Sequence, residues 1–251
     1  MGFRLIGHRG ARNEAPENTL AGFTHARELG LDAIELDLRQ TKDGQVVIIH
    51  DATVDRTTDG AGAVADLTLA EIRALDARSV HADWPERVAI PTLDELLDWA
   101  GNGMFLQIEI KSEPLERMGA TIDEAVRQVE RRGMDGCVRF TSFDVDAVTW
   151  LRDRYPAWPR SYVGGFHEPE DLETALCLGC DQIDVSLQHG RREVVAEAHE
   201  RGLRVIGWQC NTADHVADAL AWGVDGATSD APQAVLPLLR AAGVLTEKEA
   251  V

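Results

Sequence analysis

The most constraining feature of this chain is a stretch in which charged and apolar side chains alternate. Ile34, Leu36 and Leu38 alternate with charged residues, a pattern typical of a β-strand. Because side chains on a strand alternate between faces, Glu35 and Asp37 point in the same direction. Two neighbouring carboxylates repel each other unless they are solvated or share a cation, so this face is a candidate site.

The residues that follow predict a strand returning beside the first one. Residues 42–45 are polar and include a glycine, which favours a turn, and residues 46–49 form an apolar run. An antiparallel return would bring His50 close to Glu35 and Asp37. An imidazole beside a pair of carboxylates indicates a functional site, and the first question is which fold carries it.

A repeated junction between helix and strand answers the question of the fold. Five times, a helical pattern ends at a glycine and passes through a short turn into an apolar strand, and the last three junctions are roughly twenty residues apart. This alternation predicts parallel βαβ units. The eight predicted parallel strands are residues 3–7, 33–38, 105–110, 137–141, 160–163, 182–185, 204–207 and 226–229.

Eight such strands in 251 residues predict an α/β fold, a (β/α)8 TIM barrel. Between them we expect helices that include residues 114–132, 145–154, 168–178, 191–200 and 213–221. The alternative is an open doubly wound sheet. It is disfavoured because the chain contains no glycine-rich phosphate-binding loop of the G-x-G-x-x-G or Walker type.

One segment interrupts the regular alternation after the second strand. About forty residues separate His50 from the next predicted helix, and a structureless loop of that length is unusual in a compact domain. We interpret residues of about 51–92 as a small inserted subdomain that covers the catalytic face. The apolar residues there are too few for a second core, so residues 1–251 are predicted to form a single barrel domain.

Charge and composition restrict the classes of partner. The formal net charge of −18 argues against a nucleic-acid partner and against stable association with an anionic membrane. No apolar run reaches the length of a membrane span, and the first residues do not form a signal peptide. Leu236, Leu238 and Leu239 on an outer helix would pack against the barrel or against a second subunit of a homo-oligomer.

The four cysteines indicate a reducing compartment. Cys177 and Cys180 form a lone C-x-x-C motif without a second pair, which is a weak metal signal. Cys137 and Cys210 lie in apolar, strand-like contexts. We interpret all four as reduced structural thiols and predict a cytoplasmic location.

Active sites of TIM barrels lie at the carboxyl ends of the strands, and several such ends carry polar residues here. The first strand ends at His8 and Arg9, and the third carries Glu109 and Lys111 on one face. With the residues of the second strand and its return, the candidates are His8, Arg9, Glu35, Asp37, His50, Glu109, Lys111 and Trp208.

These residue types point to metal-assisted phosphoryl chemistry. Three carboxylates from neighbouring strands suit a hard divalent ion such as Ca²⁺ or Mg²⁺, whereas ligation by the histidines would favour Zn²⁺. We favour His8 and His50 as acid and base, because their ordinary pKa lies near neutrality. Arg9 offers a bidentate fork and Lys111 a point charge for phosphate oxygens. Taken singly, each residue also has a structural interpretation, such as an ion pair between Arg9 and Glu17.

The order and spacing of the motifs resemble those of the glycerophosphodiester phosphodiesterase family, especially its small cytosolic bacterial members. The resemblance rests on the sequences HRG at residues 8–10, PENT at 16–19, ELD at 35–37, HD at 50–51 and EIK at 109–111. It extends to the sequence TKDG at residues 41–44, to the insertion after His50 and to residues 223–232 near the end.

The resemblance implies a role for each matching residue. Glu35, Asp37 and Glu109 would hold a divalent metal ion, Mg²⁺ or Ca²⁺. His8 and His50 would be the general acid/base pair. Arg9 and Lys111 would bind the phosphate.

Three further positions match the family in supporting roles. Glu17 and Asn18 would orient Arg9 or His8 and cap the first helix, and Trp208 would lie near the glycerol or the leaving group. From the residues alone, Asn18 or Thr19 is the predicted N-cap. Residues 208–211 read Trp-Gln-Cys-Asn where Trp-Thr-Val-Asn is commoner. This departure concerns the wall of the pocket, and therefore the preference for a leaving group.

The implied reaction is hydrolysis of a small-molecule glycerophosphodiester, such as glycerophosphocholine or glycerophosphoethanolamine, to sn-glycerol 3-phosphate and an alcohol. Either water or the glycerol 2-hydroxyl is a possible first nucleophile. The alternative is a lipid phosphodiesterase similar to lysophospholipase D or sphingomyelinase D, for which we find no amphipathic docking loop. A non-catalytic barrel is disfavoured, because it would lack one of the catalytic groups and this sequence has all of them. An unrelated metal-dependent barrel hydrolase is also disfavoured, because it would carry His-x-His on the first strand, where this chain has His8-Arg9-Gly10.

Overall fold

The computed structural model describes residues 2–164 and 170–245, and these form a closed β-barrel surrounded by helices. The strands are β1 Arg4–Gly7, β2 Ala33–Gln40, β3 Val46–Ile48, β4 Phe105–Ile110, β5 Val138–Ser142, β6 Arg160–Val163, β7 Gln182–Ser186, β8 Arg204–Trp208 and β9 Gly226–Ser229. All except β3 pair in parallel, and β1 closes the barrel by pairing with both β9 and β2. The predicted TIM barrel is confirmed.

Helices follow the barrel strands as predicted, with small shifts at their ends. They are α1 Leu20–Glu28, α2 Leu69–Arg73, α3 Leu93–Ala100, α4 Leu115–Arg131, α5 Val145–Arg154, α6 Glu170–Cys177, α7 Arg192–Glu200, α8 Ala213–Trp222 and α9 Pro232–Ala241. The predicted start of α6, at Glu168, lies outside the described residues. No helix in residues 2–164 or 170–245 is long and apolar enough to cross a lipid bilayer.

The barrel strands are buried on both faces, and the alternation along β2 separates the two environments. Leu36 and Leu38 belong to the main apolar cluster, which also contains Leu96 of α3 and Ile122 of α4. The charged residues of the same strand face the opposite way, into the barrel. The hydrophobic layer between strands and helices therefore fixes the direction in which the charged side chains point.

Strand β3 returns antiparallel along β2, as the polar turn and apolar run predict. Leu38 pairs with Ile48, and the backbone N–H of Ile49 donates to the carbonyl oxygen of Asp37 at 3.0 Å. The return therefore ends at the carboxyl end of β2. His50 is the next residue of the chain.

The N-cap of α1 is Thr19, whose hydroxyl accepts from the backbone N–H of Gly22 at 3.1 Å. Of the two predicted N-caps, Thr19 is therefore confirmed, and neither Asn18 nor Glu17 caps this helix. Asn18 has a φ of 55° and its side-chain amide donates to Asp37 instead. A single residue in the left-handed region turns the chain sharply enough for the amide to reach the barrel interior.

Residues 51–92 lie between β3 and α3 and have a small apolar cluster of their own with β3. This second cluster consists of Val47, Ile49, Val54, Val64, Ile72, Ala77 and Ile90. Helix α2 contributes Ile72 to this cluster and begins with a capping box formed by Thr68 and Glu71. We did not predict this helix from the sequence. The boundary of the insertion stays a prediction.

Candidate active site

The loop after β1 places His8 and Arg9 at the rim of the barrel. A Cβ atom at Gly7 would overlap the carbonyl oxygen of Gly10, so the loop can fold this tightly only with glycine there. Arg9 has a φ of 51°, and its backbone N–H donates to Glu35 Oε2 at 3.1 Å. The predicted residues of the first strand are therefore fastened directly to those of the second.

Glu35, Asp37 and Glu109 form a buried cluster of carboxylates on β2 and β4. The parallel register places Asp37 beside Glu109, and one oxygen of each of the three groups lies within 4.8 Å of the others. Their exposed fractions are 3%, 0% and 8%. Three carboxylates this close and this buried require positive charge nearby.

Lys111 and Arg9 supply positive charge from the protein itself. Lys111 Nζ lies 2.8 Å from Asp37 Oδ1 and 2.5 Å from Glu109 Oε1. Arg9 Nε lies 3.3 Å from Asp37 Oδ2. Two cations for three anions leave the cluster one negative charge in excess when all are ionised.

The three carboxyl groups differ in acidity because the cations are not evenly shared. Burial opposes ionisation of Asp37, yet Lys111 and Arg9 hold its pKa well below its usual range. Burial and the neighbouring acids raise the pKa of Glu35 well above its ordinary value. Burial, with Asp37 beside it, raises the pKa of Glu109 to about 7. Added positive charge would return Glu35 and Glu109 to the ionised state.

The cluster fits a hard divalent cation. Glu35 Oε1 and Asp37 Oδ1 are buried and have no hydrogen-bond partner among the described residues, although Asp37 Oδ1 faces the Lys111 ammonium. A buried carboxylate oxygen without a donor is costly unless a cation occupies the space in front of it. Oxygen ligands suit Mg²⁺ and Ca²⁺.

His8 is held by a carboxylate that lies 222 residues further along the chain. Its Nδ1 is 2.5 Å from Asp230 Oδ1, and Asp230 also contacts Arg12 Nε at 2.8 Å and accepts from Asn211 Nδ2 at 2.8 Å. Burial opposes ionisation, but these partners lower the pKa of Asp230 to about 2. An ionised carboxylate only accepts, so Nδ1 of His8 carries a proton and Nε2 is left for the cavity.

His50 has the same arrangement with a local partner. Its Nδ1 is 2.7 Å from Asp51 Oδ1, and hydrogen bonds outweigh burial to hold the pKa of Asp51 at about 2. Nε2 of His50 is therefore also available. Burial lowers the pKa of both His8 and His50 below 6.5, so both rings are neutral at pH 7.

A cavity of about 140 Å³ connects these groups at the carboxyl end of the barrel. Its charged side is lined by His8, Arg9, Glu35, His50, Glu109 and Lys111. Its other side is lined by neutral residues, namely Thr141, Phe143, Val163, Trp208, Gln209 and Thr228, with Gln107 and Asp184 also in the lining. The structure thus brings the predicted catalytic, metal-binding and phosphate-binding residues together, with Asp37 directly behind the lining.

The two predicted supporting residues outside the cavity contact charged residues of the site. Glu17 accepts a hydrogen bond from Arg9 Nη1 at 3.0 Å, and Asn18 Nδ2 donates to Asp37 Oδ2 at 2.7 Å. Trp208 packs edge-on against Phe143, with ring centroids 5.9 Å apart. The peptide bond after Trp208 is cis.

The sequence analysis gave no role to Asp230 or to Asp51, which hold the two imidazoles. Asp230 directly follows β9, so the rule that points to strand ends would have identified it. Asp184 of β7 was also not predicted; it accepts hydrogen bonds from Gln107, Ser161 and Gln182 at 2.7, 2.8 and 2.6 Å. Burial raises the pKa of Asp184 to about 6 despite these donors.

Comparison with known proteins agrees with this geometry. Residues 8–234 match the family described as the glycerophosphoryl diester phosphodiesterase family. A glycerophosphodiester phosphodiesterase of Caldanaerobacter subterraneus subsp. tengcongensis is 34% identical over 243 residues, which cover 95% of this chain and 98% of the relative. One from Bacillus subtilis is 43% identical over 247 residues, covering 90% of this chain and 83% of the relative.

Solved structures give the same result. A phosphodiesterase from Oleispira antarctica, in complex with the product sn-glycerol 3-phosphate, is 28% identical with a TM-score of 0.88, over 95% of this chain and 97% of the other. A glycerophosphodiester phosphodiesterase from Agrobacterium tumefaciens is 26% identical with a TM-score of 0.80, over 92% and 97%. The predicted family and enzyme class are therefore confirmed: the chain belongs to the glycerophosphoryl diester phosphodiesterase family.

Proposed function

We propose that this protein hydrolyses glycerophosphodiesters to sn-glycerol 3-phosphate and an alcohol, in a reaction that depends on a divalent metal ion. The observation that carries the proposal is the pair of imidazoles beside the carboxylate cluster. His8 and His50 each have Nδ1 fixed by an ionised carboxylate and line one cavity with Glu35 and Glu109. Neutral rings with one free nitrogen suit proton transfer.

Glu35, Asp37 and Glu109 would hold the metal ion. When bound, an Mg²⁺ or Ca²⁺ ion would polarise the phosphoryl group and neutralise charge on its oxygens. The unpartnered Glu35 oxygen and the excess negative charge of the cluster support this assignment. Asn18, which donates to Asp37, would keep that carboxylate in its orientation.

His8 and His50 would exchange proton roles across the bond that breaks. The attacking hydroxyl, from water or from the glycerol 2-hydroxyl, gives its proton to Nε2 of one ring as its oxygen bonds to phosphorus. The other ring, which takes up a proton on Nε2 when the negatively charged phosphate of the substrate lies beside it, gives that proton to the alcohol oxygen as the second phosphorus–oxygen bond breaks. If the 2-hydroxyl attacks first, a cyclic glycerophosphate forms, and water then opens it by the same exchange.

Arg9 and Lys111 would bind the phosphate. Both line the cavity, and both are held within reach of its carboxylate side. In an acidic protein of net charge −18, these local cations would give the substrate phosphate its favourable contacts. Glu17, paired with Arg9, would fix the direction of the guanidinium.

Trp208 and Phe143 would form the wall beside the glycerol or the departing alcohol. Small diesters are preferred over lysophosphatidylcholine or sphingomyelin, the substrates of the alternative lipid phosphodiesterases, because the sequence has no amphipathic docking loop and its net charge is −18. It stays a prediction that the protein has no nucleic-acid partner and no stable membrane association. The cytoplasmic location and the homo-oligomer also stay predictions. We also propose that residues 51–92 form an insertion within a single barrel domain, whose Asp51 contacts His50 beside the cavity.

The test is release of glycerol 3-phosphate from glycerophosphocholine and glycerophosphoethanolamine, with added Mg²⁺ or Ca²⁺ and with EDTA. We expect release that requires the metal, and chromatography of the products would detect a cyclic glycerophosphate. Faster release from micellar lysophosphatidylcholine would instead favour a lipid phosphodiesterase. No release and no metal binding by calorimetry would overturn the proposal.

A further inference from the structure

Arg56 lies in the inserted segment, and its guanidinium joins two carboxylates. Its Nη1 and Nη2 donate to Glu17 Oε2 and Oε1 at 2.7 and 2.8 Å, and its Nε donates to Asp51 Oδ2 at 2.6 Å. Glu17 is buried, whereas the side chain of Arg56 is 41% exposed. The two terminal nitrogens of the guanidinium thus bind Glu17, and its Nε binds Asp51.

Each of these carboxylates also holds a residue that lines the cavity. Glu17 accepts from Arg9 Nη1 at 3.0 Å, and Asp51 contacts His50 Nδ1 at 2.7 Å. Arg56 therefore stands at the centre of an unbroken chain of charge-assisted hydrogen bonds that runs from Arg9 to His50. Such bonds are about twice as strong as neutral ones and are directional.

The backbone around Arg56 is fixed on the side away from the cavity. Val54 is fully buried in the apolar cluster of the insertion. The backbone N–H and the hydroxyl of Thr58 both donate to the carbonyl oxygen of Val54, at 3.1 and 2.8 Å. Arg56 is the middle residue of this turn, so the small cluster determines where the guanidinium lies.

The two oxygens of Asp51 have one partner each, which explains how Arg56 acts on His50. Oδ1 contacts the imidazole and Oδ2 contacts Arg56, so the plane of the carboxylate is held from both sides. Without the guanidinium, Asp51 would be free to rotate toward solvent. His50 would then lose the partner that keeps its proton on Nδ1 and its Nε2 available.

We propose that Arg56 is a positioning residue that aligns His50 through Asp51 and Arg9 through Glu17, so that the insertion completes the catalytic site of the barrel. This inference rests on the proposed function, because it takes the roles of His50 and Arg9 from it. Lysine would not replace Arg56 fully. Its ammonium is a single point, whereas the two carboxylates are met by different nitrogens of a planar fork.

The first test compares Arg56→Gln, Arg56→Lys and Arg56→Ala with the wild type. We expect kcat for glycerophosphocholine to fall about 10- to 100-fold in Arg56→Gln, with a smaller change in KM, and to recover partly in Arg56→Lys. Methylguanidinium should restore activity to Arg56→Ala, because the site is exposed enough to admit it, and methylammonium should restore less. The matched control is Arg73→Gln. Arg73 also lies in the insertion, but its exposed ion pair is with Glu95 of α3.

A second readout does not depend on turnover. The ¹⁵N chemical shifts of the His50 ring should indicate a proton on Nδ1 in the wild type and a mixture of tautomers in Arg56→Gln. Arg56→Gln and Asp51→Asn should be less than additive in their effects on kcat, because both break the same chain.

The outcomes separate this inference from the proposed function. Wild-type hydrolysis, with kcat of Arg56→Gln within twofold of it and unchanged ring shifts, would overturn the positioning role alone. Absence of hydrolysis by the wild type would overturn the proposed function, and the ring shifts would still report whether Arg56 orients His50.

Discussion

The two sides of the cavity differ in chemistry. Titratable side chains on β2 and β4 and in the residues just after β1, β3 and β4 line one side, from His8 to Lys111. Neutral side chains from β5 to β9 line the other, apart from Asp184 deep in the barrel. The groups proposed for bond making and breaking are thus confined to the first 111 residues. The remaining strands shape the space that the substrate fills.

This division teaches that activity and substrate preference can be changed separately in this barrel. Changes on the charged side should act on kcat, because those groups would contact the reacting atoms in the proposed reaction. Changes on the neutral side should act on KM and on the preferred alcohol, because those groups would contact parts of the substrate that do not react.

Glu35→Gln should have the largest effect. It removes one of three carboxylates that would hold the metal ion, and it leaves the two cations of the site with fewer anions. We expect a loss of roughly 1000-fold in kcat, together with weaker Mg²⁺ or Ca²⁺ binding by calorimetry. A variant that keeps its activity and its metal affinity, with an unchanged melting temperature, would remove Glu35 from the metal site.

His50→Ala should reduce kcat about 100-fold, because one of the two proton-transfer groups is lost. His25→Ala is the matched control, since His25 is also half-buried and also paired with a carboxylate, Glu14, at 2.9 Å. In the wild type, burial holds the pKa of His50 below 6.5, so the base stays neutral at pH 7. The acidic limb of kcat/KM should therefore lie below pH 6.5, and a limb well above it would contradict this environment.

Asp230→Asn tests whether the division has an exception, because Asp230 follows β9 on the neutral side yet holds His8. We expect kcat to fall about 10- to 100-fold with KM little changed. An effect on KM alone would mean that Asp230 serves substrate binding, and the exception would disappear.

The contribution of the same carboxylate to stability should be lost in acid. Its pKa is about 2 in the folded protein against an ordinary 3.8, so its contribution is complete above about pH 5 and is lost as the pH falls through 2. The shift corresponds to about 2 kcal/mol in the free energy of unfolding. Denaturant titrations of wild type and Asp230→Asn should therefore differ more at pH 6 than at pH 2.

Phe143→Ala should have the smallest effect and act on the neutral side only. Phe143 is 43% exposed and packs edge-on against Trp208. Losing this aromatic contact should raise KM about two- to tenfold, most for diesters with a bulky alcohol, and leave kcat nearly unchanged. Leu238→Ala, at a similarly exposed site on α9, is the control. A fall in kcat equal to that of Asp230→Asn would erase the difference between the two sides.

The sequence predicts the barrel and the charged side well because both are encoded in local patterns. The period of two along β2 identifies Glu35 and Asp37, and the polar turn with its apolar run places His50 beside them. These signals involve residues close together in the chain. The rule for strand ends then adds Glu109 and Lys111 without knowledge of any contact.

Several contacts of the site could not be predicted because the two residues that make each contact are far apart in sequence. No local pattern pairs His8 with Asp230, which approaches only when β9 closes the barrel against β1. Asp184 lies in a strand that alternates as β2 does, but its hydrogen bonds come from three different strands. Helix α2 was missed because it is only five residues long.

The separate apolar cluster of the insertion has a consequence for the motions of the enzyme. Five buried side chains of residues 51–92 pack with Val47 and Ile49 in a cluster apart from the main core, so the amide hydrogens of the segment should exchange with solvent through local opening rather than through unfolding of the whole barrel. If Arg56 has the positioning role proposed above, each opening of the segment would separate it from its partners. The stability of the small cluster would then set the fraction of time for which the active site is assembled.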